Sequence, residues 1–505
     1  MIVPGNANGD GRQSLGRRIT TAAAWTVAFR WLDRLVGLLS LAILARFLSP
    51  DDFGIVGYVM LVIGFLELVT AMSTDAELIR HKQADRSYYD AAWTMNCIRG
   101  LALTVAMLTL IQPATSFFNE PRLAAVMLPL ALLPFIGGFE NVGIVEFRKQ
   151  LTFDREFRFL LTSRILGTLA MIALALALRS YWALVAGSLL RAVLRVALSY
   201  GFHPFRPRLA FAHVPRIFRF SRWMMLQSLA EGLYDRLPGL LVGNQWGTSA
   251  LAYFNLAKEM ADLSASEVRA PIRRALYPGL AQIAGERARV GDALVSSAGM
   301  LALLTTPIPL GIALVADDLV PLFLGPQWSA AIPLLAPLCF AGAVAAIGTN
   351  SHLAFMALNQ AHIAAWAAVC RVLLLVVLLA LVAPWYGVLG VAYAIAGVVF
   401  VITLADYALV SVVLNIDARK LVATVWRPVA AATVMAIAVG LERAGDVPAS
   451  NLAGHAWSIA ESAALGAAVY VGCVWGLWVV GGRREGAEAR LIALAKDYRV
   501  RRSQN

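Results

Sequence analysis

Apolar runs of about 18–28 residues recur along the whole chain, each long enough as a helix to cross roughly 30 Å of hydrocarbon. Fourteen helical spans are predicted, near 19–47, 52–72, 90–111, 124–144, 158–178, 181–200, 217–243, 250–270, 293–316, 330–358, 363–383, 386–412, 424–441 and 459–480. Backbone in lipid must satisfy its own hydrogen bonds, so helices are expected, and the sequence lacks the alternation of a membrane barrel strand. Composition points the same way. Of 505 residues, 59% are hydrophobic and 15% charged, with mean hydropathy +0.69, whereas a soluble domain is about 25% charged. Single water-soluble cores stop growing near roughly 250–300 residues, too few to bury so much apolar surface. The predicted fold class is therefore all-α, a polytopic membrane protein.

Charge sets the orientation. With the N-terminus inside, the segments expected in the cytoplasm carry thirty Lys and Arg residues; the opposite connections carry four, Arg46, Arg122, Arg179 and Arg443. That asymmetry predicts both termini in the cytoplasm. It also accounts for the net charge of +12 as a signal facing anionic lipid, with no need for a nucleic-acid partner.

An internal repeat divides the chain. Arg46-Phe47-Leu48-Ser49-Pro50-Asp51-Asp52-Phe53-Gly54 follows the first helix as Asn244-Gln245-Trp246-Gly247-Thr248-Ser249-Ala250-Leu251-Ala252 follows the seventh. Tyr181-Trp182-Ala183-Leu184-Val185-Ala186-Gly187 opens the sixth helix as Tyr386-Gly387-Val388-Leu389-Gly390-Val391-Ala392 opens the twelfth. The order predicts a cytoplasmic tail (1–18), a six-helix lobe (19–200), a basic linker (201–222), a second six-helix lobe (217–412), two additional helices (413–480) and a basic tail (481–505). Repeats spaced by six helices keep one orientation, which predicts a pseudo-two-fold axis along the membrane normal and a cavity between lobes.

Ionisable groups within spans are costly and usually face a cavity or a partner. The first helix carries Arg30, Asp33 and Arg34; Arg30 and Arg34 share a face and cannot neutralise each other. The seventh carries Glu231, Asp235 and Arg236, and the eighth Lys258, Glu259 and Asp262, with Lys258 and Asp262 spaced to pair. The surplus cations Arg30, Arg34 and Lys258 are the leading candidates for gripping phosphate, which a guanidinium does by paired hydrogen bonds. Arg236, Arg191 and Arg371 are further cationic candidates, while Asp33, Glu231, Asp235 and Asp262 serve as cavity acids or ion-pair partners. Arg99 and Arg195, like Arg191 and Arg371, are placed toward the cytoplasmic ends, where long side chains snorkel, and snorkelling is also the reading for Arg164. Glu67, Glu140 and Asp406 lie toward the same ends without an assigned role.

Catalytic templates are missing. The sequence has no GxxxxGK[ST] phosphate loop, and its six histidines form no metal pattern. Cys97, Cys339, Cys370 and Cys473 sit in apolar stretches without a CxxC, which indicates neither a disulfide framework nor zinc. No cofactor is expected. The apolar segment behind the polar residues 1–18 is too long for a cleavable signal peptide. The basic stretch 483–502 has apolar residues at helical spacing and suits either the inner leaflet or solvent.

Several stretches together resemble a known family. Leu44-Ala45-Arg46-Phe47-Leu48-Ser49-Pro50-Asp51-Asp52-Phe53-Gly54 is one, and Phe147-Arg148-Lys149-Gln150-Leu151-Thr152-Phe153-Asp154-Arg155 another. Ala252-Tyr253-Phe254-Asn255-Leu256-Ala257, Pro271-Ile272-Arg273-Arg274-Ala275-Leu276-Tyr277-Pro278 and Leu324-Gly325-Pro326-Gln327-Trp328 complete the set. In this order they resemble the polysaccharide-transporter (Wzx-type flippase) branch of the multidrug/oligosaccharidyl-lipid/polysaccharide exporter superfamily. The resemblance covers about 20–415; the last two helices carry no matching motif. It implies transport of undecaprenyl-diphosphate-linked oligosaccharide across a bacterial inner membrane for exopolysaccharide, capsule or O-antigen synthesis. Alternating access around a cationic cavity would accomplish it, with membrane lipids, glycosyltransferases and a polymerase as partners.

Two rivals differ in what they require. A multidrug exporter of the same superfamily favours an acidic, aromatic cavity for positive cargo, against the arginines of the first helix. A polymerase or ligase of the membrane resembles a pattern with a long periplasmic loop bearing arginines, whereas the outward connections here are short. A structural scaffold would need no charge clusters at mid-membrane.

Overall fold

The computed structural model describes residues 8–70, 85–150, 152–211, 214–283, 285–358, 360–444 and 451–481, with Thr74, Leu78 and Ile79 between the first two stretches. Residues 1–7 of the N-terminal tail, 482–505 of the C-terminal tail, Gln83 and Asp446 lie outside them. Among the described residues there is no strand, and the chain separates into two compact units, Met1–Ala252 and Tyr253–Asn505.

The first unit runs through α1 (Asn8–Phe47), α2 (Pro50–Val69), α3 (Arg86–Thr109), α4 (Ile111–Phe118), α5 (Arg122–Leu130), α6 (Leu132–Gly138), a 3₁₀ turn (Val142–Ile144), α7 (Val145–Lys149), α8 (Phe153–Leu178), α9 (Tyr181–Phe202) and the first part of α10 (Val214–Gln282). The second unit continues α10 and adds α11 (Arg287–Thr305), α12 (Pro307–Leu314), α13 (Ala316–Phe323), a 3₁₀ turn (Pro326–Ala331), α14 (Ile332–Ala357), α15 (Ala361–Leu414), α16 (Ala418–Ala444) and α17 (Leu452–Val480).

Eight described helices are long and apolar enough to cross a membrane, or nine if the bent pair Arg122–Gly138 and Val142–Lys149 forms one span. All fourteen predicted segments fall on helices, so the observed architecture is consistent with that count. The most apolar stretch, Ala365–Leu414, is also the least buried, with only 11% of its window inside the protein. Leu373, Val376, Val377 and Leu381 point outward there. Such inversion suits hydrocarbon as the surrounding solvent.

Three departures from simple spans have local causes. The predicted fourth helix is broken because Pro129 and Pro134 remove hydrogen-bond donors from it, and the chain then bends 56° at Phe139–Asn141. The seventh and eighth predicted helices form one element interrupted only at Gly247, whose φ of +85° favours glycine. The eleventh and twelfth are likewise divided at Gly387, φ +62°, just after Pro384. Near the repeat-paired tyrosines the chain also turns through positive φ, at Arg179 (φ +47°) two residues before Tyr181 and at Gly387 just after Tyr386.

Within the first unit, side-chain bonds sort the connections into two ends. At one, Asp52 accepts the Tyr181 amide at 2.8 Å and Arg122 donates to Asp51 at 2.8 Å. At the other, Asp90 accepts the Arg208 amide at 2.9 Å and Asn141 donates to the Phe205 carbonyl at 2.9 Å. Successive connections therefore alternate between ends, as an up-and-down membrane bundle requires. In the second unit, Val290, Phe355, Leu414 and Leu421 form a buried cluster where α11 and α16 begin and α14 and α15 end.

Candidate functional site

A cavity of about 790 Å³ opens within the first unit. Its walls come from α2, α3, α6, the 3₁₀ turn, α7, α8, α9 and the first part of α10, and small residues bring the helices close enough to form it. Gly100 lies against the Pro134 carbonyl and Gly138 against the Asn96 backbone, where a Cβ would meet those atoms. Four arginines line the space, Arg99, Arg148, Arg195 and Arg236, with Glu67 and Glu140 as the acids.

These cations differ in how they are held. Arg195 donates to both oxygens of Glu140, at 2.9 and 3.1 Å. Arg148 is fixed by Glu156 at 2.5 Å. Arg99 donates to the Thr70 hydroxyl at 3.4 Å. Among the described residues, neither Arg99 nor Arg236 has a carboxylate within ion-pair distance. Arg236 lies flat against Gly64, where any larger side chain would collide with its guanidinium. Two paired and two carboxylate-free guanidiniums around a recess can bind an anion such as a phosphate.

The sequence candidates distribute unevenly over this geometry. Arg236 faces the cavity. Asp33 instead pairs with Arg164, 3.1 Å away, tying α1 to α8; a paired charge inside a span costs less than a lone one. Arg195 pairs with Glu140, and Arg99 is the fourteenth of the 24 residues of α3. Arg30 and Arg34 are half-buried on α1, and Arg191 half-buried on α9, against Gly167. Glu231 and Asp235 are exposed on α10. In the second unit Lys258 is half-buried and Asp262 exposed on the continuation of α10, and Arg371 stands 3.9 Å from the buried Asp406. Sequence reasoning did not assemble Arg99, Arg148, Arg195 and Arg236. No shared sequence pattern marks the four: Arg99 and Arg195 lie toward the predicted cytoplasmic ends, Arg148 follows the predicted fourth span and Arg236 lies within the seventh.

The segment after α1 has a different task. Ser49 and Asp52 form a capping box, with the Ser49 amide donating to Asp52 at 2.9 Å and Pro50 starting α2. Asp51 accepts from Thr248, beside the break at Gly247, and from Arg122, which also donates twice to Glu120 at 2.8 Å. Burial alone would raise the Asp51 carboxyl, but the bonds from Arg122 and Thr248 outweigh it and hold it below its ordinary range. The Arg122 bonds lower Glu120 against the effect of its burial, and the two carboxylates raise Arg122 in return. Gly54 lies so close to the Thr248 carbonyl that no side chain fits. Tyr58 donates to the Gly243 carbonyl at 2.8 Å, closing the same end. The network binds the repeat-related connections 47–50 and 244–248 to each other.

Comparisons with known proteins agree with this picture. Lipopolysaccharide biosynthesis protein WzxC of Escherichia coli (strain K12) is 22% identical over 426 residues, 82% of this chain and 85% of that protein. Succinoglycan biosynthesis transport protein ExoT of Rhizobium meliloti (strain 1021) is 23% identical over 323 residues, 63% of this chain and 65% of that protein. A solved structure of the lipid II flippase MurJ, in an inward closed conformation, shares the fold with a TM-score of 0.72 at 13% identity, covering 90% of this chain and 99% of that one. Residues 43–333, more than half of the chain, match the family model described as polysaccharide biosynthesis protein, and this multi-span membrane protein belongs to that family.

Proposed function

We propose that the protein is a flippase that moves undecaprenyl-diphosphate-linked oligosaccharide across the bacterial inner membrane by alternating access. The supporting observation is an arginine-lined cavity among apolar helices in a member of a polysaccharide biosynthesis family. A diphosphate brings about two negative charges into a low-dielectric region, where guanidiniums offset its desolvation. The work is binding and conformational change, without covalent catalysis. Arg30, Arg34, Lys258 and Arg236 are the first cations to test for phosphate contact, followed by Arg191 and Arg371. In this scheme glycosyltransferases supply the cargo and a polymerase consumes it.

Deleting the gene is expected to remove a surface or secreted polysaccharide while lipid-linked repeat units still form inside. Extraction and chromatography of the lipid-linked pool checks this. Loss of those units together with the polymer would place the protein in synthesis and end the flippase reading.

The proposed topology has both termini in the cytoplasm, with six-helix lobes at 19–200 and 217–412 and two appended helices in 413–480. Its support is the ratio of thirty to four basic residues. Reporter fusions at Ser49, Asn119, Asp317 and Asp446 are expected to report periplasm, and those at Gln83, Arg208 and Arg287 cytoplasm. Reversal at two or more sites overturns the orientation.

A further inference from the structure

A second recess, of about 550 Å³, lies where the N-terminus of α8 meets the C-terminus of α9. Arg155 and Arg158 stand on its rim, and Leu198, Gly201 and Phe202 form its floor. It is separate from the arginine cavity of the first unit. Both arginines are exposed. Arg158 is shared with Asp154, 3.1 Å away, while Arg155 has no carboxylate partner among the described residues. The rim thus carries one net positive charge. Gly201 leaves the floor open, since nothing lies within 4 Å of where its Cβ would be.

The surface leading away from the recess is apolar and equally specific in placement. On α8, Arg155, Arg158, Thr162, Ile165 and Leu169 follow one another at three- and four-residue steps, so they share one face. Ile165 and Leu169 on that face are exposed, as are Leu190 and Val193 on α9. A basic, open-floored head site at the end of two spans therefore continues into a hydrocarbon-facing strip along them.

We propose that this groove is a binding site for an anionic glycerophospholipid, with its phosphodiester on Arg155 and Arg158 and its acyl chains along Ile165, Leu169 and Val193. The charge favours this occupant. A phosphodiester carries one negative charge and matches a rim of net +1, whereas a diphosphate would remain uncompensated. Guanidiniums suit the head site because they bond phosphate oxygens in pairs. The site does not depend on what the protein transports.

Native mass spectrometry of the purified full-length protein, titrated with phosphatidylglycerol and separately with phosphatidylcholine, tests the proposal. Wild type is expected to retain one phosphatidylglycerol beyond the phosphatidylcholine level. Arg155→Ala/Arg158→Ala is expected to weaken it about tenfold or more, the scale of a lost charge-assisted hydrogen bond, and Arg155→Lys/Arg158→Lys to recover part of the loss. Asp154→Ala, which removes the competing carboxylate, is expected to strengthen retention. Equal retention of the two lipids, or unchanged retention in the double alanine variant, overturns the site. Displacement of phosphatidylglycerol by undecaprenyl diphosphate at equal concentration overturns the choice of occupant. Photoactivatable phosphatidylglycerol on the wild-type chain gives an independent reading: label within 153–170 and 190–202 supports the groove, and label confined elsewhere sinks it.

Discussion

Arg236→Ala is expected to lower polysaccharide export at least about tenfold while the protein still inserts and accumulates, because a lost charge-assisted hydrogen bond to cargo costs about 1.5–3 kcal/mol. Arg236 faces the cavity from α10 and, among the described residues, has no carboxylate to hold it. Removing a paired arginine such as Arg195 would strand Glu140, so reduced export could reflect misfolding. Arg236 avoids that confusion. Arg236→Lys should recover only part of the export, since an ammonium keeps the charge but loses the planar fork. Gly64→Ala supplies a second route to the same end. Its methyl group would occupy the place of the Arg236 guanidinium and displace it with the charge intact. Polymer export and membrane protein level are measured side by side for the three variants. Normal export from Arg236→Ala removes this residue from cargo binding, and a parallel fall in protein level makes it a structural support.

The spans were legible in the sequence because hydropathy is a local property, summed over neighbours along one helix. The breaks were legible where glycine or proline marks them, as at Gly247 and Gly387, once the repeat was noticed. The fourth span shows the limit: its apolar content predicted one helix, but Pro129, Pro134 and the turn at Asn141 divide it. Pairings were not legible. Asp33 was grouped with its helix neighbours Arg30 and Arg34, yet its ion-pair partner is Arg164, more than a hundred residues away on α8. Asp51 and Thr248, 197 positions apart, meet only because the helices that carry them pack. The arginine cavity escaped for the same reason. Its four guanidiniums come from four separate helices, and no local pattern links Arg99, Arg148, Arg195 and Arg236. Arg443 was counted as an outward loop charge, and nothing local distinguishes it from one.

In the second unit, Arg443 is instead part of the most tightly bonded polar node, and the node explains how the last two helices are attached. Asp318, 5% exposed on α13, accepts from Arg443 of α16 at 2.6 Å, from His455 of α17 at 2.6 Å and from Ser458 of α17 at 2.7 Å. Glu442 extends the node by accepting from Ser462 at 3.1 Å. Burial would raise the Asp318 carboxyl, but the bonds from His455, Ser458 and Arg443 prevail and hold it below the usual range. Its stabilising contribution is therefore complete at neutral pH, declines as pH falls through the ordinary carboxylate range, where the unfolded chain takes up the proton first, and is gone once pH is below the lowered value. Asp318→Ala removes all three acceptor bonds at once and leaves the Arg443 guanidinium, only 17% exposed, without its anion. Breaking one partner of such a buried pair costs about 3–5 kcal/mol. The expected result is a lower Tm and faster amide exchange concentrated in α16 and α17, because α13 then no longer grips them. Asp318→Asn keeps the shape and part of the bonding, so it should fall between alanine and wild type. Asp318→Ala/Arg443→Ala, which eliminates the stranded charge, should regain part of the lost Tm. Unchanged exchange across 418–480 in Asp318→Ala would show that the apolar contacts of Leu303, Met435 and Tyr470 hold these helices without the node.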